Sequence, residues 1–226
     1  MEVKGVKIDF LGHSGFLIIN LEGKKVFIDP FNLSEGVVKQ KADFILITHS
    51  HYDHCSIKDI ERIVKPGSVI VCPPDVQSKI TKIEGVNMQL IESGEELVLG
   101  RMKVEAIAAY NTEKDKEFHT RKDGWVGYVI KMGDMIIYHS GDSDNIKEME
   151  KLSGYGKLEN TFIALLPVSG KYVMTAEEAA LAAKAINPSL AIPMHYGSII
   201  GTIEDAQRFV KLCSEEGIRA LALEKI

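Results

Sequence analysis

Three short apolar runs open the chain, VKIDFL, GFLIIN and KKVFID, separated by Gly-His-Ser-Gly and Glu-Gly. Apolar and β-branched runs of this length between turn formers predict an antiparallel meander. DFILIT follows, and its unbroken apolar stretch suits a strand covered on both faces. SIKDIERIV changes period: Ser56 can cap a helix whose apolar face carries Ile57, Ile60, Ile63 and Val64. SVIVC reads as a further buried strand and PDVQSKI as a short helix.

From Met88 to Met132 the pattern is strand-rich again, with MQLIE, EELVLG, MKVEAIAAY and WVGYVIKM, and MIIYHS follows across a Gly133-Asp134 turn. FIALLPV and LAIPMH then alternate as strands with two helical segments. The first, TAEEAALAAKAI, has Thr175 and Glu178 at capping-box spacing. The second, IEDAQRFVKLCSEEG, presents Ala206, Phe209, Val210 and Cys213 on one face and stops at Gly217. RALALEKI closes the chain. Meanders joined to β-α alternation predict sheet packed on sheet with helices outside, an α/β four-layer αββα sandwich. With 226 residues, 45% of them hydrophobic, and no linker or low-complexity tract, we expect a single domain over 1–226.

Composition narrows the function classes. A net charge of −5 argues against a chain whose main task is gripping a phosphate backbone. Cys55, Cys72 and Cys213 are an odd number without CxxC spacing, which suggests neither a disulfide framework nor a cysteine zinc site and fits a reducing cytoplasm. The N-terminal stretch is interrupted by Asp9 and His13 and lacks a signal-peptide layout; no membrane span is expected. Neither GxGxxG nor GxxxxGK[ST] follows a strand, so nucleotide use has no support.

The chemistry concentrates in THSHYDHCS, just past the DFILIT strand. There His49 and His51 can aim in one direction while Asp53 and His54, beyond the turn, aim into the same space. Imidazole nitrogens and a carboxylate are good ligands for zinc and similar ions, and an open coordination position beside them lets bound water become a nucleophile near neutral pH. A solvated polar loop is the bland alternative, and three histidines are an unusual way to build one.

His49-x-His51-x-Asp53-His54 resembles the HxHxDH signature of the metallo-β-lactamase superfamily. Ile28-Asp29-Pro30 resembles that family's early aspartate, His139-Ser140-Gly141-Asp142 its bridging element, and Pro193-Met194-His195-Tyr196 its final histidine. With Leu11-Gly12-His13-Ser14, these are similar to the branch that includes ascorbate-6-phosphate lactonase-like and N-acyl-phosphatidylethanolamine phospholipase D-like hydrolases. The likeness runs from about residue 7 to residue 200. It implies an αββα fold and two divalent ions, zinc first, with manganese or iron admitted by the same donors. His49 and His51 would bind one ion, Asp53, His54 and His195 the other, and Asp142 would bridge them. A hydroxide held between the ions would attack the substrate, with Asp53 orienting it or taking its proton. Asp29 would orient a ligand imidazole, or simply form the turn before Pro30.

One position departs from the pattern. Where the family's third histidine should end the strand MKVEAIAAY, this chain reads Ala109-Tyr110-Asn111-Thr112, and His119 comes eight residues after Asn111. His119 is the preferred ligand for the first ion, because zinc sites favour nitrogen over neutral amide oxygen; a surface histidine is its bland reading. His13 is either a turn histidine satisfied by backbone or a substrate-binding or proton-shuttling group. His139 and Cys55 are read as structural. Arg121, Lys122, Lys171 and Tyr172 would suit an anionic small-molecule substrate if their loops rim the metals, though charged loop tips are usually only solvated.

These features favour a metal-dependent hydrolase that cleaves an ester, lactone, amide or phosphodiester. A nuclease or RNA-processing member of the same superfamily would be expected to carry a basic excess, which is absent. A non-catalytic metal-binding or sensing domain would follow if the third-histidine position is incomplete. A redox di-iron role is disfavoured by His51, where that branch usually has an acidic residue.

Overall fold

The structure, a computed structural model, describes residues 1–112, 118–156 and 160–226. The chain forms two compact units, residues 1–92 with 223–226, and residues 93–222.

The first unit is built on a seven-stranded sheet whose strands lie side by side in chain order. The strands are β1 (Glu2–Val3), β2 (Val6–Gly12), β3 (Gly15–Ile19), β4 (Lys25–Ile28), β5 (Phe44–Leu46), β6 (Val69–Cys72) and β7 (Asn87–Leu90). β1 to β4 pair antiparallel, the meander that the opening runs predict, and β4 to β7 pair parallel. Parallel pairing needs crossover connections, and the crossovers carry α1 (Glu35–Val38), α2 (Ile57–Ile63) and α3 (Gln77–Ile80). One sheet face packs on these helices, with Leu17, Phe27, Ile45 and Ile70 against Val37, Ile60, Ile63 and Ile80. Ser56 caps α2, its hydroxyl accepting from the Asp59 N–H.

A six-stranded sheet forms the second unit, again with its strands side by side in chain order. They are β8 (Glu96–Leu99), β9 (Met102–Ala108), β10 (Val126–Met132), β11 (Met135–His139), β12 (Thr161–Pro167) and β13 (Leu190–Met194). β8 to β11 pair antiparallel and β11 to β13 parallel. Pro193 is accommodated because β13 is an edge strand. The helices are α4 (Lys147–Glu150), α5 (Ala176–Ile186) and α6 (Ile203–Glu215). Thr175 and Glu178 close a capping box at the start of α5, and Thr202 with Asp205 does the same for α6. Ala179, Ala182 and Ala183 are fully buried, the close packing that small residues permit.

MQLIE contributes to a strand as expected, and that strand, β7, pairs parallel with β6 in the first sheet. Val210 is half-buried, so the α6 core face is narrower than expected, with Ala206, Phe209 and Cys213 as its buried residues. The closing segment RALALEKI makes isolated bridges among the described residues, Ala191 with Ala220 and Phe10 with Lys225. No described helix is long and apolar enough to cross a membrane.

Both sheets place chemistry at the same kind of location. The residues that follow β4, β5, β11 and β13 include Asp29, His49, Asp142 and His195. The carboxyl ends of parallel strands are where chain leaves the sheet with free backbone geometry, the usual setting for sites in α/β folds.

Candidate metal centre

In the first unit the organising group is Asp29, fully buried just past β4 with a φ of 43°. Its Oδ1 accepts from the Thr48 N–H at 2.8 Å, and its Oδ2 accepts from the Thr48 hydroxyl at 2.6 Å and from His54 Nδ1 at 2.7 Å. Because the Thr48 proton is spent on Asp29, its oxygen is the acceptor for His49 Nδ1 at 2.9 Å. Both rings are thereby fixed with a proton on Nδ1 and the lone pair on Nε2. The His49 and His54 ring centroids lie 4.1 Å apart, and His51, partly exposed, lies 4.7 Å from His49.

His13, 1% exposed and at a φ of 56°, places Nε2 at 2.9 Å from Asp53 Oδ2. Its contact is thus with a candidate ligand rather than with backbone alone, and Phe31 packs edge-on against its ring. The loop that carries His49 and His51 is pinned from below: the Ser50 N–H donates to Asp75 Oδ2 at 3.1 Å, and Lys79 donates to the Ser50 carbonyl. Asp59 holds the Pro30 turn in the same manner, accepting from the Asn32 and Leu33 N–H groups.

The second unit assembles a separate set of ligand-type groups around Asp142. His195 Nε2 stands 3.1 Å and His119 Nε2 3.4 Å from the same oxygen, Asp142 Oδ2, and all three residues are buried. His119 donates from Nδ1 to the Tyr172 carbonyl at 3.0 Å, so its lone pair also sits on Nε2. Ser169 Oγ lies 2.9 Å from His195 Nδ1 and holds that ring. Asn111 is not presented as a ligand: its side-chain oxygen accepts the His119 backbone N–H at 3.0 Å. Its NH2 donates to Asp144 Oδ1 at 3.1 Å and to the Tyr172 carbonyl at 2.9 Å.

His139 is buried and accepts the Gly141 N–H on Nδ1, which shapes the turn before Asp142. Burial pushes the Cys55 thiol up to about 12, and Cys55 packs with the first unit's core. Arg121 is engaged by Glu148 at 2.8 Å and lies over the Tyr110 ring, while Lys171 sits over the Tyr172 ring. Lys122 is exposed. Residues 113–117 of the stretch between Asn111 and His119 lie outside the described residues. Sequence reasoning missed Thr48, Asp75, Ser169 and Asp144. Thr48 carried the one usable signal, a hydroxyl directly before a candidate ligand.

These groups suit a divalent metal. Two nitrogens converging on one carboxylate oxygen, and imidazoles whose Nδ1 protons are committed to protein oxygens, are the donors that zinc-type ions take.

The comparisons agree with this reading. A family model described as "Beta-lactamase superfamily domain" matches residues 7–195, and the chain belongs to that superfamily. More particularly, it groups with the proteins called UPF0173 metal-dependent hydrolases. One from Thermoplasma acidophilum is 36% identical over 95% of this chain and 94% of its own. Another, from Pyrococcus furiosus, is 34% identical over 93% of each. A crystal structure from Parabacteroides distasonis, described as a metal-dependent hydrolase, superposes with a TM-score of 0.82 at 27% identity, covering 97% of this chain and 94% of that one. The protein is a metal-dependent hydrolase with the metallo-β-lactamase fold.

Proposed function

We propose that the protein, acting as one domain over 1–226, hydrolyses an ester, lactone, amide or phosphodiester of a small substrate with the help of two divalent ions, zinc first. His49, His51 and His119 would hold one ion, Asp53, His54 and His195 the other, and Asp142 both. The observation that carries this reading is the common treatment of four imidazoles. In His49, His54, His119 and His195 the Nδ1 faces a protein oxygen, of Thr48, Asp29, Tyr172 and Ser169 respectively. Such partners orient the ring, and where the imidazole donates they fix the tautomer and raise the basicity of Nε2.

When bound, the ions supply an activated water and polarise the substrate oxygen. Asp53, partly exposed at 15%, is the carboxylate placed to orient that water or take its proton, and His13 holds its Oδ2. Burial of Asp29, His49 and His54 excludes bulk water from the side of the centre they form. An anionic substrate and a cytoplasmic setting belong to the same proposal.

Elemental analysis of protein purified without chelator or affinity-tag metal tests it, alongside a panel of ester, lactone, amide and phosphodiester substrates. The expected result is near two ions per chain, about one in His119→Ala, and turnover of one substrate class. One ion or none in the native chain would sink the two-metal proposal.

A further inference from the structure

We infer that Asn111 and Asp144 are positioning residues for His119, a brace that lets a residue outside the strand serve where the strand's own end offers only an amide. The inference rests on His119 being a metal ligand, as proposed above.

His119 follows Asn111 by eight positions, and an imidazole carried on such a return needs its backbone fixed before its Nε2 can be useful. Asn111 supplies that fixation twice. Its N–H donates to the His119 carbonyl at 2.7 Å, and its side-chain oxygen accepts the His119 N–H at 3.0 Å, so both polar backbone groups of His119 are held by one residue. The other end of the same amide donates to Asp144 Oδ1 and to the Tyr172 carbonyl. That carbonyl also accepts from His119 Nδ1, so the amide and the imidazole share one acceptor.

Asp144 completes the frame from the far side. It accepts from the Thr112 N–H at 2.8 Å, while its own N–H donates to the Tyr110 carbonyl at 3.0 Å. It stands two positions after Asp142, whose Oδ2 faces His119 Nε2. The brace therefore ties His119 to the chain segment that carries its neighbouring carboxylate. A side chain that could only accept, or only donate, cannot play both parts; the amide of Asn111 does both. This explains a polar residue at the strand end that is itself a poor ligand.

The test is a double-mutant cycle read by metal affinity, with competition against a chromophoric zinc chelator, and by the visible spectrum of the cobalt-loaded protein. Asn111→Ala should weaken the site that His119→Ala weakens by at least tenfold and alter the cobalt spectrum in the same sense. The double variant should be no worse than His119→Ala alone, because the amide acts only through the imidazole. Asp144→Asn, which keeps the shape but sets donor against donor, should give a smaller loss in the same site and shift the cobalt spectrum in the same sense, a change that a general loss of stability would not produce. Additive losses in the double variant, or unchanged affinity in Asn111→Ala while His119→Ala loses the ion, would overturn the brace alone. Unchanged affinity in His119→Ala would overturn both the brace and the ligand assignment.

Discussion

Backbone conformation marks the candidate ligand groups of each unit residue by residue. His13, Asp29 and His195 all adopt positive φ, between 43° and 60°, which costs a non-glycine residue of order 1 kcal/mol or more. Each lies at a strand end, where a left-handed step turns the side chain away from the pleat. Asp29 offsets its strain with three hydrogen bonds, and His195 is held by Ser169. A different kind of cost sits on β11, where the Tyr138 hydroxyl is buried without a hydrogen-bond partner among the described residues. Desolvation raises this phenol above its ordinary range, with the Glu148 charge adding to the effect. Removing an unsatisfied buried hydroxyl relieves its desolvation, so Tyr138→Phe should raise stability by about 1 kcal/mol. Urea unfolding checks this; a lower midpoint would show that the hydroxyl is contributing.

Among the elements, β10 limits what the second sheet can present. Gly127 lies alongside the turn after β11, and an added Cβ would stand 2.5 Å from the His139 carbonyl oxygen and 2.6 Å from that of Ser140. Both contacts are backbone, so the segment leading to Asp142 would have to move. Gly127→Ala should therefore destabilise by about 1–3 kcal/mol, the range for overpacking, and should also lower metal content because Asp142 is displaced. Thermal melting and elemental analysis report the two effects separately, and normal values of both would refute the argument. The helices were more legible than this strand contact. Ser56 and Thr175 each cap the helix that follows, as their positions predict, and Thr202, which the sequence reading passed over, caps α6 in the same way; each interaction is completed within three residues.

At the scale of the whole molecule, metal is expected to contribute to stability as well as to chemistry. Imidazoles packed at 4.1 and 4.7 Å in the first unit and a carboxylate held between two more in the second are arrangements that bound cations hold together. At free metal a thousandfold above Kd, one ion stabilises the fold by about 4 kcal/mol. Chelation should thus lower the melting temperature and abolish turnover, and adding zinc should restore both. An unchanged melting temperature after verified metal removal would mean that the ligand sets are held by protein contacts alone.

The sequence by itself determined the alternation of strands and helices, the caps, and the His49-x-His51-x-Asp53-His54 cluster, because each is written within a few adjacent positions. It also placed Asp29, Asp142 and His195 at strand ends. What it left open were contacts between residues far apart in the chain. Whether His119 or Asn111 faces the neighbouring carboxylate depends on hydrogen bonds reaching to Asp144 and Tyr172. Asp29's role depends on Thr48 and His54, respectively 19 and 25 positions away. Which sheet receives MQLIE depends on parallel pairing with β6. Local pattern sets what a segment can become, whereas buried polar groups find their partners only when the tertiary fold brings distant segments together, and those partnerships decide which side chains are free to bind and react.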